Sequence, residues 1–136
     1  MPIAGAIFGP QRVMLVEMFF RSLELTREAY LPDVKFAEAF ELIMIGGKVY
    51  DMQAKGRAAT CSNLARAIEM PRATLHRKLL QLEKAGVVEK CGGRYVMSVE
   101  CMNGPVPVRN FKRRVANIMQ AAKKLSEMDD ALSQPN

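Results

Sequence analysis

No stretch of this 136-residue chain approaches the roughly 18 consecutive apolar residues of a membrane span, so a transmembrane helix is not expected. The start, MPIAGAIFGPQR, lacks a basic segment followed by an apolar one, and a secretory leader is not expected either. The three cysteines (Cys61, Cys91 and Cys101) form no CxxC pair. An odd count beside ten methionines points to a reducing, cytoplasmic setting rather than a disulfide framework. His76 is the single histidine. There is no metal-ligand spacing, no phosphate-cradling glycine motif and no Ser/His/Asp or Cys/His set. No catalytic residue, metal or cofactor is therefore expected, and the chain does not read as an enzyme. Internal repeats and low-complexity tracts are also missing.

The composition is that of an ordinary globular chain, with 49% hydrophobic and 25% charged residues. Its length suits one domain with one core. The net charge of +6 is unevenly placed. Residues 1–54 carry five Lys/Arg against seven Asp/Glu, whereas residues 55–94 carry nine against three. Residues 95–136 carry six against four. The middle segment alone matches the whole excess, which is the footprint of a polyanion-binding surface or of a solvated basic face.

Hydrophobic spacing and stop signals set out the elements. Residues 10–30 read as a helix with Pro10 in its first turn and apolar residues (Val13, Val16, Phe19, Phe20, Leu23) on more than one stripe. Leu31-Pro32-Asp33 ends it, and Asp33 is placed to cap a second helix over 34–54. In that helix Phe36, Phe40, Ile43 and Tyr50 fall near one face. Gly46-Gly47 at its centre implies a bend, a break or a close helix approach. Residues 55–59 form a linker with room for a very short strand. Thr60 then caps a short helix whose Leu64, Ala65 and Ile68 face inward. Glu69-Met70-Pro71 leaves room only for a tight turn, and a further helix runs from Pro71 to a stop at Gly86. VVEKC and RYVMSV around Gly92-Gly93 read as a hairpin with a primed turn. Residues 100–109 read as an irregular connector, residues 108–128 as a last helix, and the remaining DDALSQPN as frayed.

Two short helices, a tight turn and a hairpin make the winged helix-turn-helix order. The expected fold class is mainly α with a small β-hairpin wing, flanked by N- and C-terminal helices. The expected organisation is N-terminal helices for core and dimerisation over 1–54, the winged helix-turn-helix over 55–100, and a connector with a dimerisation helix over 101–136. On a helical wheel Leu75, Leu79 and Leu82 lie within about 60° of one another and define the buried side. Ala73, Arg77 and Lys84 lie opposite, with Thr74 beside them. A recognition helix over 71–85 enters a major groove by its N-terminal half. Arg77 suits a guanine edge or a phosphate, Thr74 a base or a thymine methyl, and the small Ala73 permits close approach. Arg72, His76 and Lys78 flank this face, and His76 reads as a packing or phosphate-contacting residue. Ser62, with the free N–H groups at the start of the preceding helix, forms a second phosphate site. Lys90 and Arg94 beside the wing turn suit the DNA backbone or minor groove over a wing of 87–99. Cys61, at a helix N-terminus, is either a reactive thiol or a merely tolerated one.

The stretch TCSNLARAIEMPRATLHRKLLQLEKAGVVEK, residues 60–90, resembles the winged helix-turn-helix of the MarR and IclR groups of bacterial transcriptional regulators. The helices before and after it and the total length are more similar to MarR. The resemblance implies DNA binding and leaves room for a small-molecule effector between dimer helices and winged helix.

In the last helix Phe111, Val115, Ile118, Ala122 and Leu125 step by 4, 3, 4 and 3, a coiled-coil seam. Such a seam packs either on the chain's own first helix or on a second copy. The apolar first helix, with Val16, Phe19 and Phe20, favours a homodimer whose terminal helices interleave. A dimer would place two reading heads on one two-fold axis over double-stranded DNA. The function expected is a homodimeric, sequence-specific transcriptional regulator. The competing expectation is a winged-helix module that binds protein and no DNA.

Overall fold

A computed structural model describes residues 9–133, with side chains as far as residue 128. Residues 1–8, the larger part of the stretch MPIAGAIFGPQR read for a leader, lie outside the described residues, as do residues 134–136 of the tail.

The first helix, α1 (Pro10–Tyr30), and the second, α2 (Phe36–Ala54), are joined by a short turn in which Val34 N–H donates to Leu31 O at 3.1 Å. Asp33 does not cap α2. The N-cap is Lys35, whose backbone carbonyl accepts the Ala39 N–H at 2.8 Å with no side-chain bond. The guanidinium of Arg27 holds the turn instead, donating to the carbonyls of Pro32 and Val34, both at 3.1 Å. Gly46-Gly47 neither breaks α2 nor admits a helix: nothing lies within 4 Å of a Cβ built at either position. Both glycines line a cavity.

Helix α3 (Cys61–Ile68) starts at Thr60, whose hydroxyl accepts the Asn63 N–H at 3.1 Å. It ends at Glu69, which adopts the left-handed conformation (φ 60°, ψ 48°). Helix α4 (Arg72–Lys84) follows, with Pro71 as its N-cap rather than its first helical residue. Gly86, at φ 78°, closes α4, and Val87 N–H reaches back to Leu82 O at 3.0 Å.

Strands β1 (Val88–Cys91) and β2 (Arg94–Met97) pair antiparallel, with Val88 opposite Met97 and Cys91 opposite Arg94. Gly92 at φ 66° supplies the positive φ that a primed two-residue turn needs.

The expected irregular connector is mostly helical. Ser98 caps a single turn, α5 (Val99–Met102), through a 3.1 Å bond from Cys101 N–H. The last helix, α6 (Pro105–Ser133), begins earlier and ends later than its sequence suggested. Pro105 and Pro107 belong to the stretch read as connector. Both fall in the first turn of α6, where backbone N–H groups have no helical partner to lose. The stretch 129–133, read as frayed, continues the helix.

One core joins α2 to the winged helix. Ala39, Leu42, Ile45 and Val49 pack with Leu64 of α3, Leu75, Leu79 and Leu82 of α4, and Val88, Tyr95 and Met97 of the hairpin. Leu75, Leu79 and Leu82 are at most 1% exposed, as their spacing required. Helix α2 is thus the platform on which the helix-turn-helix sits.

Helices α1 and α6 lie against each other through a polar stripe. Asn110 donates to Leu25 O, Arg114 to Thr26 Oγ1, and Asn117 to Met18 O and Ser22 Oγ. Ala121 continues the stripe and is buried. The apolar seam is displaced to one side of this contact. Phe111, Val115 and Ile118 remain about half exposed, as do Val16, Phe19 and Phe20 on α1. Ala122 is exposed and Leu125 half-buried.

Candidate nucleic-acid interface

The buried leucines of α4 force its other side outward. Arg72, Ala73, His76 and Arg77 are exposed, and Thr74 is half-buried. Leu80 joins them at 41% exposure. The helical wheel sets it between His76 and Ala73, but a reading that assigns leucines to the core passes over it. An apolar side chain on this face is the kind that meets a thymine methyl.

Lys78 is placed differently from its neighbours. Its ammonium lies 3.0 Å from Glu41 Oε2 on α2, and its side chain is only 13% exposed. The geometry makes it a tie between α4 and the platform and removes it from the outward set. Gln81 makes a parallel tie, donating to Glu38 Oε1 at 3.1 Å. These two contacts add polar positioning to the leucine face.

The turn between α3 and α4 orients the two helices. Met70 N–H donates to Ala65 O at 3.1 Å, and Cys61 Sγ lies 3.9 Å from Arg72 O. A bend of this kind usually takes glycine at the left-handed position. Here Glu69 occupies it, exposed beside the start of α4. Ser62 lies in the first turn of α3, half-buried, and Arg66 is exposed on the last turn.

The wing tip is fully open: Lys90, Cys91, Gly92, Gly93 and Arg94 are all exposed. Below it Tyr95 is buried, and burial pushes its phenol above the ordinary range. The Lys90 ammonium sits 6.0 Å from the centre of that ring. Exposed basic groups of α4 and of the wing therefore flank the same short core.

A second feature lies behind this face. A cavity of about 550 Å³ opens between the α1/α6 pair and the platform. Leu82, Val87 and Met97 form its wall on the winged-helix side, and Gly46 and Gly47 leave α2 flat against it. Tyr30, Arg114 and Lys112 also line it, and burial raises the Tyr30 phenol above its usual range. Among the described residues no group of three or more His, Cys, Asp or Glu side chains is arranged to hold a metal ion. No helix among them is long and apolar enough to cross a membrane.

The family model of a helix-turn-helix domain matches residues 48–91, from the end of α2 through β1. The chain thus carries a helix-turn-helix domain with a small wing hairpin, and such a domain implies DNA as its partner. No curated protein and no solved structure matches the chain.

Proposed function

We propose that this chain is a homodimeric, sequence-specific transcriptional regulator of MarR-like layout that acts in the cytoplasm and catalyses no reaction. Helix α4 enters the major groove, and the wing lies on the backbone or in the minor groove. The observation that carries this reading is the two-sided character of α4. Its leucine side is buried on α2, while Arg72, Ala73, His76 and Arg77 face away from the body. Arg77 reads a base edge. Thr74 and Ala73 contact bases, and Leu80 adds an apolar contact. Arg72, His76, Ser62, Lys90 and Arg94 meet phosphate.

Two further features support the reading. The half-exposed apolar residues of α1 and α6 supply the dimer face: Val16, Phe19 and Phe20 with Phe111, Val115 and Ile118, then Ala122 and Leu125. Patches of this kind mark association sites. The cavity between α1/α6 and the platform gives a small-molecule effector a place to act, because its walls include the end of α4 and the base of the wing. The free thiols of Cys61, Cys91 and Cys101 are in keeping with a reducing compartment.

Fluorescence anisotropy with labelled duplex tests the reading. Arg77→Ala should weaken specific binding by about 1–3 kcal/mol. Lys78→Ala should change it far less, since Lys78 is held by Glu41. Equal losses from both substitutions would contradict the assignment of α4 to the groove. No binding by the unaltered protein at low salt would move the protein-interaction module to first place.

A further inference from the structure

The outer edge of β2 is completed by a helix side chain. In a two-residue hairpin the N–H groups of non-hydrogen-bonded pairs point away from the partner strand. The register puts Tyr95 and Met97 in that class, opposite Lys90 and Val88. Both would be open donors on an edge strand. Tyr95 N–H instead donates to Ala59 O at 3.0 Å, a backbone hydrogen bond that ties the hairpin to the 55–59 linker. Met97 N–H donates to Gln53 Oε1, in the last turn of α2, at 2.8 Å.

The chain's path explains why a side chain is needed. A third strand running antiparallel from Ala59 would offer the carbonyl of residue 57 to Met97. That strand does not form, because the chain is still leaving α2. Gly56 turns at φ 71°, and Arg57 N–H donates back to Met52 O at 2.8 Å. Gln53 reaches across and occupies the acceptor position. Two points of attachment fix the direction of a strand where one would leave it free to pivot.

We propose that Gln53 is the positioning residue of the wing, holding β2 at the angle that presents Lys90 and Arg94 to the DNA backbone. Gln53 itself touches no DNA. The proposal rests on the DNA-binding reading, and its test separates the two. Cys91, exposed at the wing tip, is a native attachment point for a nitroxide once Cys61 and Cys101 are replaced by serine. Gln53→Met removes the acceptor at nearly constant volume, and Gln53→Glu keeps one.

The spin-label spectrum should show a more mobile tip in Gln53→Met and an unchanged one in Gln53→Glu. Binding to a mixed-sequence duplex should weaken roughly three- to tenfold in Gln53→Met, the range of one net hydrogen bond. That loss should disappear in a Lys90→Ala/Arg94→Ala background, where the tip has no charge left to position. An unchanged spectrum in Gln53→Met would overturn the proposal. So would a binding loss that persists in full without the tip charges, since that marks a fold-wide effect. If the unaltered protein binds no duplex, the DNA reading and the positioning role both fall. If it binds and only the coupling is missing, the positioning role alone falls.

Discussion

Asn110 of α6 is completely buried and donates its Nδ2 to the backbone carbonyl of Leu25 on α1, 2.8 Å away. That carbonyl also belongs to the helical ladder, so the bond uses its second lone pair. Asn117 repeats the arrangement about two turns later against Met18 O, at 3.0 Å. Amides that need particular carbonyls fix how the two helices slide against each other, which apolar contacts alone do weakly. Asn110→Ala should destabilise the chain by about 1–3 kcal/mol through a lost buried bond. Urea denaturation reads this directly, and an unchanged midpoint would show the register to be held elsewhere.

With the polar stripe facing α1, the seam residues Phe111, Val115 and Ile118 of α6 stay about half exposed, and they are the face the proposed dimer would bury. Ile118, 49% exposed, should tolerate Ile118→Glu with little loss of secondary structure. Light scattering should show the unaltered protein as a dimer and the variant shifted toward monomer. A monomer at every concentration for the unaltered chain would remove dimerisation from the account.

Glu69 holds a backbone conformation that costs a residue with a side chain about 1 kcal/mol or more. Glu69→Gly relieves that strain and loses some unfolded-state restriction, so the net should be neutral to about 1 kcal/mol stabilising. The substitution also removes a carboxylate beside the first turn of α4, so duplex affinity should rise modestly. A clear drop in thermal stability would show that the Glu69 side chain does something the backbone argument omits.

The three thiols should separate by reactivity. Cys91 is exposed on the wing and should be alkylated first. Cys101 is half-buried, and burial pushes its thiol above the usual range, which disfavours the reactive thiolate. Its labelling should lag at neutral pH and accelerate only at a pH above that of an ordinary thiol. Mass spectrometry of partly labelled protein orders the sites, and early labelling of Cys101 would contradict its placement against the core.

What the sequence revealed follows from range. Thr60 capping Asn63, Gly86 after α4 and the Leu75/Leu79/Leu82 stripe are decided by residues within a few positions, and each is found where local rules put it. Asp33 does not cap because the turn is held by Arg27, six residues upstream, reaching the carbonyls on either side of it. Residues 105–107 read as connector, because a proline suits a helix only in its first turn and that place depends on where the helix begins. The inner face of α6 was hidden by its chemistry. A stripe of Asn110, Arg114 and Asn117 looks solvated until α1 supplies acceptors. Lys78 and Gln53 were equally opaque, since their partners lie 37 and 44 residues away in the chain.

The proposed dimer brings two copies of α4 to one symmetric DNA site. Selection from a pool of randomised duplexes, sequenced after enrichment at two salt concentrations, tests it most directly. A two-fold dimer should enrich a symmetric motif with half-sites about one helical turn apart, bound with an affinity that falls steeply as salt rises. Binding without any enriched sequence, or enrichment of a single unpaired half-site, would contradict it.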